Sequence, residues 1–234
     1  MDELARQTVV ILGASSGIGL ATALAAAAGG ARTVMLSRSR AKLEAAAATV
    51  KGAEALPLDM LDRTAIDGAI KSIGSIDHLV LAAAGDELAW AAPITELTNE
   101  QVERSFDKLR GYVNVTRAAV PILRQRGSIT LLSGTSAVRA PAGFSVLAAA
   151  GGSVVSFGKA LALELAPIRV NVVMPDVVDT PRHRDREQIR AHAERLPARY
   201  LGQPKDIAQA ILFLITNPYM TGHTLIIDGG SVTA

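Results

Sequence analysis

The chain has 234 residues, 49% of them hydrophobic and 20% charged, which suits one sizeable globular domain and excludes a disordered or fibrous chain. Lysine and arginine number 24 against 22 acidic residues and only 3% is aromatic, so nothing indicates a nucleic-acid partner. The absence of cysteine excludes disulfides and a thiolate nucleophile. The start carries Asp2 and Glu3 where a signal peptide carries lysine or arginine, and apolar runs break before about 18 residues. We therefore expect a cytoplasmic protein without a membrane segment.

Short β-branched or leucine-rich runs alternate with longer alanine-rich stretches of helical spacing. The predicted strands are 8–12, 32–36, 53–56, 78–81, 128–132, 170–173 and 224–227. The predicted helices are 17–28, 40–50, 63–73, 99–125, 144–166 and 205–215. This alternation predicts a Rossmann-like, doubly wound α/β fold, in which one domain over 1–234 holds a parallel sheet of seven strands with helices on both faces. Residues 175–202 are less regular, and we expect an arginine-rich helix there, at a functional rim.

Three glycines, Gly13, Gly17 and Gly19, lie between the first predicted strand and the first predicted helix. At such a junction the free N–H groups and the positive end of the helix dipole face outward, and glycines leave room for a pyrophosphate against the backbone. Because strand, spacing and helix agree, the segment Gly13-Ala14-Ser15-Ser16-Gly17-Ile18-Gly19 predicts dinucleotide binding rather than a purely structural turn.

The Gly-x-x-x-Gly-x-Gly spacing resembles that of the short-chain dehydrogenase/reductase family, and the resemblance covers nearly the whole chain. Asp59 matches the family's aspartate for the adenine amine, and 171–181 match the segment whose proline and threonine hold the nicotinamide. Residues 202–204 and 221–230 match C-terminal signatures. The resemblance implies an oxidoreductase of carbonyl or alcohol substrates. The cofactor contacts that it implies are Gly13, Ser15, Ser16, Gly17, Ile18, Gly19, Ser37, Arg38, Asp59, Met60, Ala83, Gly85, Pro175 and Thr180.

The end of the second strand decides which dinucleotide is bound, because an acid there binds the ribose 2′-hydroxyl and repels a 2′-phosphate. This chain has Ser37 and Arg38 at that place and no acid. A guanidinium can hold a phosphate with two hydrogen bonds, so we expect NADP(H) in preference to NAD(H). The alternative is that Arg38 and Arg40 only form a solvated start to the second helix.

The four positions that handle protons in the family carry other residues here. The tyrosine position is Leu147, and the lysine position, four residues later on the same helix face, is Gly151. The serine position is Gly134, and the asparagine of the fourth helix falls on Lys108. Lys108 either directs its ammonium into the vacated pocket, as an acid or a ribose clamp, or snorkels to solvent. It is the candidate catalytic residue.

Other polar groups near this pocket each allow two interpretations. Asp176, where the family usually has a glycine, either attracts an oxidised nicotinamide or is a solvated loop acid. Hydroxyls after the fifth strand either replace the missing serine or satisfy local backbone groups; they belong to Ser133, Thr135, Ser136 and Ser145. A basic cluster indicates an anionic ligand or a solvated helix with acidic partners; it comprises Arg182, His183, Arg184, Arg186, Arg190, His192, Arg195 and Arg199. No cluster has metal-ligand spacing.

Three functions remain open: an oxidoreductase with a different proton donor, a cofactor-binding pseudoenzyme that acts as a sensor or partner subunit, and a scaffold without a nucleotide. The two long predicted helices, 99–125 and 144–166, carry more apolar side chains than one sheet face needs. The family uses these helices as a subunit interface. We therefore expect a homo-oligomer, a tetramer or a dimer. The side chains concerned are Val113, Val115, Ala118, Ala119, Leu147, Val154, Val155 and Leu161.

Overall fold

A parallel sheet of seven strands forms the centre of the protein, as seen in a computed structural model that describes residues 4–84, 90–181 and 186–233. The strands are β1 (Thr8–Leu12), β2 (Arg32–Ser37), β3 (Glu54–Pro57), β4 (Ile76–Leu81), β5 (Leu123–Leu132), β6 (Arg169–Pro175) and β7 (Thr224–Ile227). Their order is β3-β2-β1-β4-β5-β6-β7, which confirms the predicted doubly wound fold. Gly85, Arg182, His183 and Arg184, named from the sequence, lie outside the described residues.

Helices cover both faces of this sheet. They are α1 (Gly17–Ala28), α2 (Arg40–Ala47), α3 (Arg63–Ser72), α4 (Asn99–Ser105), α5 (Asp107–Ala119), α6 (Ser145–Glu164), α7 (Arg186–Arg195) and α8 (Pro204–Thr216). Strand β1 is buried on both faces, since Val10 shares a core cluster with residues of α3, α5 and α6, and Val9 shares another with residues of α1, α2 and α8. A strand covered on both faces reads as a continuous apolar run, as Thr8–Leu12 does.

The predicted helix 99–125 is wrong in extent. Phe106 separates α4 from α5, and α5 ends at Ala119 before a short 3₁₀ turn, Val120–Ile122. Pro121 has no N–H to continue an α-helix, which accounts for the stop. Strand β5 then begins at Leu123 instead of 128, and its first residues include an exposed stretch, 124–126, that carries no apolar signal.

The apolar excess of α5 and α6 is smaller than the sequence indicated, because Val115, Ala119 and Val154 are fully buried against the sheet. By length and composition alone, α6 could cross a membrane, and 28% of its most apolar window is buried within the protein. The absence of a membrane segment stays a prediction. It packs closely on the sheet, since a Cβ at Gly158 would lie 2.6 Å from Val172. Leu163, on the same helix, is 85% exposed.

The carboxyl ends of all the strands lie at one edge of the sheet, because every pairing is parallel. Strand β1 pairs with β2 on one side and with β4 on the other, so the order of strands changes direction there. Ligands of open α/β sheets bind in the crevice at such a switch point. The glycine loop leaves β1 at this edge.

Candidate cofactor and active site

The glycine loop after β1 is packed so tightly that two of its positions have no room for a side chain. Gly13 has φ +87°, and a Cβ there would lie 2.6 Å from the backbone N and Cα of Ala83. A Cβ at Gly19 would overlap the Gly13 carbonyl oxygen. Gly17 has φ +56°, and its Cβ would lie 3.2 Å from Thr180 Cγ2. The structure therefore brings together Gly13, Gly17, Gly19, Ala83 and Thr180, as the resemblance implies.

The N-terminus of α1 is open toward the loop. Ser16 is its N-cap, is exposed, and makes no side-chain capping hydrogen bond. The Ser16 side chain therefore does not occupy the N–H groups of the first turn. These groups belong to Gly17, Ile18 and Gly19 and are available to an anion. A tightly packed glycine loop that leads into a helix end without a side-chain cap fits a dinucleotide pyrophosphate.

Two serines connect the glycine loop to the end of β2. Ser15 Oγ and Ser37 Oγ are 3.0 Å apart. Arg38 is exposed beside them and makes no hydrogen bond or ion pair within the described residues. Arg40, by contrast, pairs with Glu44 at 3.3 Å. Arg38 is therefore the guanidinium at this place that is available to a ligand.

The segment after β3 holds Asp59 and Met60, which the resemblance assigns to the adenine side of the site. Asp59 is exposed, and its carboxylate accepts a hydrogen bond from Leu61 N at 2.9 Å. Met60 packs so closely on α5 that a side chain at Gly111 would overlap it. Asn114 donates its Nδ2–H to Met60 O at 3.2 Å. Sequence reasoning missed Asn114, because only the placement of α5 beside this loop reveals the contact.

The positions that the sequence resemblance assigns to the family's serine, tyrosine and lysine lie close together where α6 meets the end of β5. Gly151 O accepts a hydrogen bond from Ser133 Oγ at 2.8 Å, so Ser133 satisfies a backbone group. Leu147 is 7% exposed, one turn earlier on α6. A Cβ at Gly134 would lie 3.9 Å from Pro175 O, which places Gly134 beside the end of β6. None of Gly134, Leu147 and Gly151 has a side chain that can exchange a proton.

Lys108, the candidate from the sequence, is the second residue of α5 and is half-buried. It takes part in an interaction and does not extend freely into solvent. Its catalytic role stays a prediction.

A second polar group lies at the same edge, across the ends of β5 and β6. Thr135 Oγ1 donates to Asp176 Oδ1 at 2.9 Å, and His192 Nε2 lies 2.7 Å from Asp176 Oδ2. The Asp176 side chain is 13% exposed, so the interpretation as a solvated loop acid is wrong. His192 belonged to the basic cluster noted in the sequence, but no local pattern pairs it with Asp176. Among the described residues, no group of three or more possible ligands could hold a metal ion.

Comparison with known proteins places these features in a family. A family model described as enoyl-(acyl carrier protein) reductase matches residues 13–232. The L-xylulose reductase of Mesocricetus auratus is 34% identical over 239 residues, which cover 97% of each chain. The chain belongs to the short-chain dehydrogenase/reductase family.

Solved structures of the short-chain dehydrogenase/reductase family have the same fold. A glucose/ribitol dehydrogenase of Brucella melitensis has a TM-score of 0.91 and 30% identity over 97% of each chain. A short-chain oxidoreductase of Pseudomonas aeruginosa PAO1, described as containing an atypical catalytic centre, has a TM-score of 0.88 and 25% identity over 97% of each chain. Family membership and the reductase relatives support an oxidoreductase fold with a nicotinamide cofactor.

Proposed function

We propose that this protein binds NADP(H) in preference to NAD(H) and acts as an oxidoreductase on carbonyl or alcohol substrates. In this proposal its proton donor lies away from the family's usual positions. The observation that carries it is the glycine loop, where Gly13 and Gly19 are packed too tightly for any side chain and the N-terminus of α1 is uncapped. A reduced nicotinamide supplies a hydride to a carbonyl carbon. In this chain the loop would hold the pyrophosphate, with Asp59 on the adenine side and Pro175 and Thr180 on the nicotinamide side.

The preference for NADP(H) is supported by Arg38. Its guanidinium is exposed beside Ser37 and has no partner within the described residues, so a 2′-phosphate would not displace an existing ion pair. Hydrogen bonds to charged groups contribute roughly 1.5–3 kcal/mol each. At about 1.4 kcal/mol for each factor of ten in affinity, one such contact corresponds to a preference of about 10- to 100-fold.

The test is calorimetric titration with NADPH and NADH at fixed salt. We expect Arg38→Ala to weaken NADPH binding by about 10- to 100-fold and to leave NADH binding unchanged. Arg40→Ala is the matched control, because Arg40 is two residues away, exposed, and already paired with Glu44. Equal or tighter binding of NADH by the wild type would refute the NADP(H) preference. If neither dinucleotide binds, the oxidoreductase proposal fails and the scaffold without a nucleotide remains.

The second candidate function is a cofactor-binding pseudoenzyme that acts as a sensor or partner subunit. It is supported by Gly134, Leu147 and Gly151, none of which can donate a proton to a substrate. The solved relative with an atypical catalytic centre supports the first function instead, because it indicates that this fold accommodates a changed centre. Turnover separates the two: NADPH binding without reduction of any aldehyde, ketone or quinone favours the pseudoenzyme. Lys108→Ala tests the candidate from the sequence in the same assay.

We also propose that the protein is a homo-oligomer, a tetramer or a dimer, and that it is cytoplasmic. The outer side of α5 supports the oligomer. An open groove of about 530 Å³ lies there, lined by Leu61, Leu109, Val113 and polar neighbours. The largely unburied α6 adds apolar surface. Leu163 on α6 is 85% exposed, and exposed apolar surface can mark a protein–protein contact.

A further inference from the structure

Thr135, Asp176 and His192 come together because of the register between two central strands. Leu132 of β5 pairs with Val173 of β6, and each strand places a polar residue three positions beyond that pair, Thr135 and Asp176. Helix α7 lies over this edge and brings His192 to Asp176. The group is therefore held by the sheet on one side and by a helix on the other.

Both carboxylate oxygens of Asp176 have a hydrogen-bond partner. Oδ1 accepts the Thr135 hydroxyl at 2.9 Å, and Oδ2 faces His192 Nε2 at 2.7 Å. Thr135 is 7% exposed, which leaves its hydroxyl little access to water. A carboxylate with two such partners is fixed in place and in turn fixes the imidazole ring, as the carboxylate of a catalytic triad does.

The tautomer of His192 follows from this contact. An ionised carboxylate only accepts hydrogen bonds, so Nε2 carries the hydrogen that faces Asp176. The other ring nitrogen, Nδ1, makes no hydrogen bond within the described residues. It is also not buried, because the buried polar atoms that lack a partner do not include it. One quarter of the His192 side chain is exposed. Nδ1 is thus open to a ligand, while the opposite side of the ring is anchored.

The group borders the position that the family's serine would occupy. Gly134 immediately precedes Thr135, and a Cβ at Gly134 would lie 3.9 Å from the carbonyl oxygen of Pro175, the residue before Asp176. Thr180, four residues after Asp176, lies beside the glycine loop, since a Cβ added at Gly17 would be 3.2 Å from its Cγ2. The segment that holds Asp176 therefore runs from the vacated serine position to the cofactor loop.

We propose that His192 is the proton donor of this site and that Asp176 is its positioning residue. This inference rests on the proposed function. Reduction of a carbonyl then takes a hydride at carbon from a reduced nicotinamide, which is oxidised, and a proton at oxygen from Nδ1 of the protonated His192. The C=O π bond becomes a C–H and an O–H bond, and the neutral imidazole regains its proton from water. A purely structural contact between α7 and β6 is the competing explanation.

The experiment measures NADPH binding by calorimetry and NADPH oxidation by absorbance, over a panel of aldehydes, ketones and quinones. Loss of a positioned acid typically lowers turnover by about 10²- to 10⁴-fold. We expect that loss in kcat for His192→Ala and equally for His192→Gln, whose amide can still donate to Asp176. NADPH affinity should be unchanged, and free imidazole should partly restore turnover to His192→Ala. Asp176→Asn should lower kcat with the same unchanged affinity.

His223→Gln is the matched control. His223 is exposed and precedes β7, at the opposite edge of the sheet from Asp176. A readout that needs no turnover is NMR of histidine-labelled protein. The His192 ring should show the Nε2–H tautomer, and its ring signals should move when NADP⁺ replaces NADPH, whereas those of His223 should not.

Each contrary outcome is decisive. Turnover that survives His192→Gln would show a structural contact and overturn the inference. A wild type that binds NADPH but reduces no member of the panel would also overturn it, while cofactor binding would stand. Ring signals of His192 that are identical with both cofactor forms would place the imidazole away from the reacting end. Failure to bind either dinucleotide would instead refute the proposed function itself.

Discussion

His78 gives the sharpest quantitative prediction, because a buried imidazole couples folding to pH. It lies on β4, is 5% exposed, and both ring nitrogens are engaged: Nδ1 with Ser128 Oγ at 2.8 Å and Nε2 with Gln7 Oε1 at 2.7 Å. The neutral ring satisfies both contacts, with one nitrogen donating and the other accepting. Burial, and then the positive charge of Arg169, lower the pKa of His78 to about 4, although Asp77 opposes the shift.

The sign of the effect follows from the two states. The pKa is about 6.5 in the unfolded chain and about 4 in the folded one, so between these values the unfolded chain binds the extra proton. The stabilisation is complete above pH 6.5 and is lost as the pH falls toward 4. At 1.36 kcal/mol for each pH unit, the loss attributable to His78 is about 2 kcal/mol at pH 5 and about 3 kcal/mol at pH 4.

Urea unfolding at pH 7, 6, 5 and 4 measures this loss as the difference between the wild type and His78→Gln. The variant is expected to be less stable at pH 7 because it disturbs a buried contact, but it should lose less stability on acidification. Carboxylates such as Glu54, whose pKa is lowered mainly by its hydrogen bond to Arg32, titrate in both proteins. Their contributions to the free energy of unfolding therefore cancel in the difference between the two proteins. His223→Gln, with an exposed ring, should follow the wild type. Parallel pH dependence of wild type and His78→Gln would refute the reasoning.

The other predictions concern the cofactor loop and the assembly. Gly19→Ala should weaken NADPH binding at least about tenfold, because the added Cβ would overlap the Gly13 carbonyl oxygen. Gly29→Ala is the control. Its Cβ would lie no closer than 3.4 Å to any atom beyond its chain neighbours, so this variant should bind NADPH normally in the same titration. Unchanged binding by Gly19→Ala would contradict the packing of the loop. Sedimentation velocity at micromolar concentration should show an oligomer. Leu163→Arg should weaken this oligomer, because Leu163 is an exposed apolar side chain on α6. A stable wild-type monomer would refute the proposed homo-oligomer.

Local sequence signals predicted most of the sheet, because the central strands β1, β2, β4 and β6 are short runs of mainly buried residues. The exceptions have physical causes. Pro121 marked the end of α5, but the apolar period on either side of it suggested one long helix. The beginning of β5 was not predicted because residues 124–126 are exposed and polar. The strand is defined there by the pairing of Leu123 and Ser128 with β4 on either side of them.

The glycine loop was predictable for the same reason, since its chemistry depends on residues next to one another in the chain. The contact between Asp176 and His192 was not, because it depends on where α7 lies over the ends of β5 and β6. Asp176 stands out in the sequence only as an unusual residue and His192 only as one basic residue among many, and the two are 16 residues apart. A pair of that kind has no periodicity that a sequence pattern could reveal.

The resemblance assigns the family's tyrosine and lysine positions to Leu147 and Gly151, and their placement limits where a substitute proton donor can lie. Leu147 and Gly151 are four residues apart on one face of α6, and that face meets Ser133, whose hydroxyl is committed to the Gly151 carbonyl. A substrate held between the glycine loop and the end of β5 therefore meets apolar or backbone groups on the α6 side. The ends of β5 and β6 offer a carboxylate and an imidazole instead, anchored by Thr135. His192 and Lys108 are the two candidate proton donors, and the variants His192→Gln and Lys108→Ala, compared in one turnover assay, decide between them.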